Sequence, residues 1–154
     1  MKVKIILLAL TIIFVNAIVC SADSPHMGTW KLNEAKSHFA KDATKNNTVV
    51  YEAAGDQTKV TVDGTAADGS AVHSEWTGKF NGKYYAVTGS ATGDMRAYSR
   101  VNSRTLRFHE KKGGKVVLNG TITVSRNGKS RTVVATSKNA QGKWVTNTAV
   151  YDKQ

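Results

Sequence analysis

This sequence predicts an all-β fold: an antiparallel up-and-down β-barrel of eight to ten strands with one short helix near the N-terminus. Three observations predict it. From residue 47 onward, short runs rich in Val, Thr, Tyr and Phe alternate with turn dipeptides at a spacing of about ten residues. A single Pro in 154 residues leaves the strands their backbone donors. So many hairpin-linked strands in one flat sheet would leave long open edges, which closure removes. A two-sheet sandwich is the alternative, but the even spacing and the bulk on both faces of the runs favour a barrel.

Residues 1–22 read as a secretory signal peptide. Lys2 and Lys4 form a basic start, and Ile5 through Val19 is apolar apart from Thr11 and Asn16. The rival, a membrane anchor, needs about 20 apolar residues and lacks a basic stop-transfer run here. Cleavage after Ala22, with Cys20 and Ala22 as the small residues before the bond, removes 22 of the 154 residues and leaves 132. The net charge falls from +11 to +9 as Lys2 and Lys4 leave. Lipidation at Cys20 is the other processing route, and Val19 in front of that cysteine fits it poorly. The mature chain, 23–154, is expected to be one domain, periplasmic or secreted, with no transmembrane segment after signal cleavage. It holds no cysteine, so its stability rests on a packed core.

Along that chain, strands are expected at 28–32, 47–53, 57–63, 71–79, 83–88, 95–101, 104–112, 115–125, 130–138 and 143–152. The helical candidate is 33–39, where Asn33 is a suitable cap for about one and a half turns. Asn119-Gly120 falls inside a long strand run, where a glycine marks a bulge or a sharp bend rather than a turn. In the run 71–80, alternation places Val72, Ser74, Trp76, Gly78 and Phe80 on one face, assigned inward, and His73, Glu75, Thr77 and Lys79 on the other.

The start of the mature domain, Met27-Gly28-Thr29-Trp30-Lys31-Leu32, resembles the Gly-x-Trp opening of the calycins, the superfamily of lipocalins and fatty-acid-binding proteins. Its end, Ala149-Val150-Tyr151-Asp152-Lys153, is similar to the last strand of the intracellular fatty-acid-binding proteins. The resemblance implies that Gly28 and Trp30 are structural, with Trp30 plugging one end of the barrel. It implies a cavity for a small hydrophobic molecule, and the export signal suggests a small bacterial exported lipocalin-like protein. Two departures accompany it. Residues 33–46 have no room for the helix-turn-helix lid of fatty-acid-binding proteins, and Ala149 stands where their last strand carries a carboxylate-binding Arg.

The large aromatics of the expected strands, Trp76, Tyr84, Tyr98, Phe108 and Tyr151, are the candidate ligand-binding residues, as apolar walls of a pocket. The competing role is plain core filling. Tyr84 and Tyr85 lie on opposite faces, so at most one points in. Arg96, Arg100, Arg104 and Arg107, with Lys111, Lys112 and Lys115 nearby, form a basic flank. An inward member would offer a planar fork to a carboxylate or phosphate; Arg107, alternating with Leu106 and Phe108, is expected to face outward. His73, Glu75 and His109 are a conceivable metal or acid-base trio, but nothing in their spacing joins them.

No nucleophile setting, phosphate loop or carboxylate pair is present in the sequence. The expectation is therefore no enzyme, no catalytic residues, no metal and no cofactor. The function expected is non-catalytic binding of a small hydrophobic or amphipathic ligand inside the barrel. The alternative is a filled barrel that binds an acidic macromolecule at the cell envelope through its basic outer face. The basic residues are scattered from Lys31 to Lys153, so no nucleic acid is expected as a partner.

Overall fold

A computed structural model describes residues 24–139 and 141–154. The signal-peptide reading of residues 1–22 lies outside the described residues. Among the described residues ten strands form: β1 (Gly28–Leu32), β2 (Lys45–Ala54), β3 (Gln57–Thr65), β4 (Ala71–Gly78), β5 (Asn81–Thr88), β6 (Met95–Asn102), β7 (Thr105–Lys112), β8 (Lys115–Val124), β9 (Ser130–Lys138) and β10 (Trp144–Lys153). Each pairs antiparallel with its sequence neighbour, and β1 pairs with β10, so the barrel is closed. Tight turns at Gly55, Gly69, Gly114, Gly128 and Gly142 use the left-handed backbone that glycine tolerates.

The expected α-helix at 33–39 does not form. Asn33 does cap, its Oδ1 accepting from the Lys36 amide at 3.2 Å, but only a single 3-10 turn, Glu34–Lys36, follows. The reason is competition. β1 ends at Leu32, so the upper part of β10 needs a partner, and His38 exchanges two backbone hydrogen bonds with Thr148, at 2.7 and 2.8 Å. A helix of one and a half turns is marginal in isolation, and strand-like pairing displaces it.

Two seams are irregular. At Gly120, where a bulge or a sharp bend was expected, the ladder keeps its register; the slip falls instead between the pairs Glu110–Leu118 and Lys111–Val116. Gly120 is small because it is crowded: a Cβ there would lie 2.2 Å from the Val134 carbonyl oxygen and 2.7 Å from the Phe108 ring. The Asn81-Gly82 dipeptide, the turn signal between the strands expected at 71–79 and 83–88, begins β5 instead, and the turn falls at Lys79-Phe80. The β4–β5 ladder is short, with two register pairs, Glu75–Thr88 and Trp76–Val87.

Because successive hairpins alternate ends, the barrel has two unlike ends. The 24–27 segment, the C-terminus and the turns after β2, β4, β6 and β8 share one end; the 33–44 loop and the turns after β3, β5, β7 and β9 share the other. The core of Trp30, Tyr51, Trp76, Tyr98, Leu106 and Val124 sits toward the first. Trp30 is fully buried there, its indole N–H donating to the His26 carbonyl at 2.8 Å. Gly28, at φ +101°, lets the chain enter that first strand, in a backbone conformation that side chains resist.

Candidate functional site

The aromatic side chains meet at the closed end. Phe80 is the hub: it stacks on Trp76 at 6.2 Å with 7° between the rings, and packs edge-on to Tyr98 at 5.7 Å. Tyr85 and Tyr98 both present to Trp76 nearly at right angles, and Tyr98 continues to Phe108 at 6.0 Å. The Trp76 N–H is satisfied by the Arg96 carbonyl at 3.0 Å. Arrays of this kind bury large apolar area and add a specific ring-pair term to it.

Above this floor the barrel is hollow. A cavity of about 710 Å³ opens between Phe39–Thr44, Ser90–Thr92 and the β9–β10 turn. Its walls are Val62, Val72, Leu118, Val133, Ala135, Val145 and Ala149, interrupted by Ser74, Ser137 and Asn147. Phe39 packs on the core from the 33–44 loop, which is tied to β10 by the Ala40 amide donating to Asn147 Oδ1 at 2.7 Å. Below it lies a chamber of about 100 Å³, sharing Arg96, Leu118, Val133, Ala135 and Tyr151 as walls and adding Val49, Tyr51, Tyr98, Phe108, Ile122 and Arg131.

Of the five residues expected to line a pocket, three do. Tyr151 borders both spaces, and Tyr98 and Phe108 border the lower chamber. Trp76 touches neither; it is 1% exposed and belongs to the aromatic floor. Tyr84 is corrected outright: it lies on the outer face with the Lys111 ammonium 4.0 Å from its ring centroid, and Tyr85 is the one that turns in. The reason lies in the pairing of β5 and β6, which sets Tyr85 beside inward Arg96 and Tyr84 beside Ala97.

The sequence reading missed the ionic interior. Arg96, grouped there with an outer basic flank, points in. Its Nε donates to Glu110 Oε2 at 2.9 Å, and Nη2 donates to the same oxygen. Glu110 is completely buried, and its other oxygen accepts from the hydroxyls of Ser90 at 2.6 Å and Thr92 at 2.5 Å, which hold the β5–β6 loop at the mouth. Burial alone would raise this carboxyl; the Arg96 charge and the hydrogen bonds outweigh it and keep it below the usual carboxylate range. Gly93 permits the approach, since a Cβ would fall 2.6 Å from Glu110 Cγ.

Arg131 is the second inward cation, 2% exposed, with its guanidinium carbon 4.8, 5.0 and 4.8 Å from the ring centroids of Trp30, Tyr51 and Tyr151. Burial, opposed by Arg131, pushes the Tyr151 hydroxyl up to about 12. His26, sealed beneath the floor, is held down at about 4 by burial first and by the charges of Arg131, Arg100 and Lys153 after it. Arg100, Arg104 and Arg107 are exposed, and Lys112 and Lys115 with them. His73 bonds Asp63 at 2.7 Å and sits 3.8 Å from Glu75, while His109 is three strands away on β7. Among the described residues no group of three or more His, Cys, Asp or Glu side chains is placed to hold a metal ion.

Fold and interior together define a closed ten-stranded antiparallel barrel with a plugged floor, a hollow upper half and a loop-rimmed mouth. No protein-family model matches the sequence, and no curated protein matches it. Among solved structures it is similar to EF1p2_mFAP2b bound to DFHBI, at 13% identity over 84% of this chain and 94% of that one, with a TM-score of 0.50. Two redesigned β-barrels align less well: mFAP1 bound to DFHBI (14% identity, 84% of this chain, 95% of that one, TM-score 0.44) and b11L5F_LGL (13%, 88%, 97%, 0.45). At such identity the first likeness shows the barrel fold. No helix among the described residues is long and apolar enough to cross a membrane.

Proposed function

We propose that this protein is an exported, calycin-like barrel that binds one small amphipathic molecule in its upper cavity without covalent chemistry. The observation that carries the proposal is the cavity itself. About 710 Å³ lies within the range of about 300–1,000 Å³ usual for small-ligand sites, and its walls are mainly Val, Leu and Ala with a few polar groups. Burying a ligand there contributes about 25 cal/mol per Å² of apolar area withdrawn from water. The neighbouring barrel EF1p2_mFAP2b holds the small molecule DFHBI, which accords with this reading. Export is supported by the basic-then-apolar start of the chain.

The test is titration with N-phenyl-1-naphthylamine, a neutral fluorophore of apolar pockets. The expected result is saturable one-site enhancement, little changed by salt, and lost in Ala135→Phe, whose ring would occupy the cavity between its two levels. A folded protein that shows no saturable binding would overturn the proposal. Steeply salt-sensitive capture of an acidic polymer in its place would move the function to the exposed Arg104, Arg107, Lys112 and Lys115.

A further inference from the structure

The outer surface of the closed end gathers charge of one sign. Arg100 lies near the end of β6, Arg104 in the turn after it, Arg126 and Lys129 in the β8–β9 turn, and Lys153 at the end of β10; all five are exposed. Arg100 is two residues past buried Tyr98 and Lys153 two past buried Tyr151, so alternation points both off the end of the cylinder instead of out from its sides. The Lys153 ammonium accordingly sits 5.3 Å from the ring centroid of Trp30, the plug of this end. The backbone makes the set contiguous: the Val124 amide donates to the Arg104 carbonyl and the Lys153 amide to the Lys129 carbonyl, each at 2.9 Å. Among the described residues none of the five makes an ion pair. The acids nearby are engaged, Asp56 with Lys79 and Asp152 with Asn33 at 2.7 Å. At the mouth, by contrast, Glu34, Asp42, Asp68 and Asp94 are interspersed with the lysines.

We propose that the closed end is a docking surface for an anionic lipid bilayer, on which the barrel stands upright with its mouth turned to the solution. Cations without counter-ions set up a field that a negatively charged surface relieves. Val101 adds an apolar tip. It lies between Arg100 and Arg104 and, at 52% exposed, is the most exposed large apolar side chain among the described residues. Basic groups around an apolar tip match the bilayer boundary, where headgroups meet the cations and acyl chains the tip. Nucleic acid fits less well, because single strands need exposed rings to stack on, and Trp30, Tyr51, Trp76 and Tyr98 at this end are buried. The surface lies opposite the cavity and works whether or not the cavity is occupied.

The experiment is co-sedimentation of residues 23–154, which hold the whole barrel and omit the apolar start of the chain, with vesicles. Phosphatidylcholine mixed with phosphatidylglycerol is compared with phosphatidylcholine alone. The protein is expected to pellet with the mixed vesicles only, and less as salt rises. Arg100→Gln, Arg126→Gln and Lys129→Gln should each lower the partition about fivefold, whereas Lys112→Gln, Lys115→Gln and Lys143→Gln at the mouth should leave it unchanged. All six side chains are exposed, so the fold does not rest on them. Trp144, 46% exposed on the mouth side while Trp30 and Trp76 are buried, reports orientation: acrylamide should quench it as well on the vesicle as in solution. Absence of binding to the mixed vesicles, binding that follows the mouth lysines, or shielding of Trp144 would overturn the proposal. So would a DNA oligonucleotide, single- or double-stranded, that displaces the vesicles through the same cations, which would make this end a nucleic-acid surface.

Discussion

At the closed end the barrel is packed with Trp30, Tyr51, Trp76, Phe80, Tyr98 and the Arg131 guanidinium; at the open end the same cylinder is bordered by Val, Ala, Ser and Asn and left hollow. The backbone is the same at both ends, so side-chain size alone makes the difference. Inward residues are largest at the floor and small to medium-sized above it: Tyr151 below Ala149, Asn147 and Val145 on β10; Arg131 below Val133, Ala135 and Ser137 on β9; Trp76 below Ser74 and Val72 on β4. A small barrel is filled or empty according to such a taper. Stability is thereby concentrated at one end and the space for a ligand at the other.

The largest effect that would break this division is Trp30→Ala. Loss of a fully buried indole and of its bond to His26 should cost about 3–5 kcal/mol, read as a lowered urea midpoint. Next is Glu110→Gln, which strands the buried Arg96 charge and should cost about 3 kcal/mol. Glu110 is also a source of acid sensitivity. Its folded pKa lies below the unfolded one, so its contribution is present above the unfolded carboxylate range and is lost as pH falls through the folded value. Denaturation curves of Glu110→Gln taken below pH ~4.5 should lack that component.

His26 sharpens the comparison from beneath the floor. Its pKa drops from 6.5 to about 4 on folding, so the unfolded chain binds more protons between those values, and stability falls as pH is lowered from 6.5 toward 4. The loss should be on the order of 2–3 kcal/mol. Among the described residues both ring nitrogens lack partners, so His26→Phe should remove the slope at little cost near neutral pH, as melting temperatures across that range would show. The smallest effect belongs to the outer face. Tyr84→Ala should change stability, read from the urea midpoint, by less than ~1 kcal/mol and leave dye binding intact.

Much of the fold was legible in the sequence because turn dipeptides and period-two alternation are local signals. The expected strands match the observed ones to within two residues at each end. The helix was misjudged because nothing local reveals that β10 outruns β1 and needs His38. The site was less legible. Parity puts Arg107 outside, between inward Leu106 and Phe108, and the same rule puts Glu110 with Phe108, Arg96 with Tyr98, and Arg131 with Val133 and Ala135 on the inner face. At these three positions charge suggests solvent while alternation points to the interior, and alternation wins because the charges are paired or capped by rings. Phe80 was placed on the inward face, yet its part as hub of the aromatic floor depends on where the β4–β5 turn falls, which the Asn81-Gly82 signal obscured. Whether Tyr84 or Tyr85 turns in was undecidable locally, because adjacent tyrosines give alternation no phase.

The two-pair ladder between β4 and β5 means the cylinder is not free of edges along its whole circumference. Beyond the Trp76–Val87 pair the two strands are joined by side chains, the rings of Phe80 and Tyr85 both packing on Trp76. Amides along this stretch should exchange with solvent before those of the β2–β3 or β9–β10 hairpins. Under heat or mild denaturant it is also where a strand from a second molecule would find open donors and acceptors. The exposed Lys83 flanks it, while Lys79 is paired with Asp56, and the like charge of Lys83 on an incoming copy would oppose that templating. The molecule's resistance to self-association would then rest on one unpaired lysine beside a thin seam.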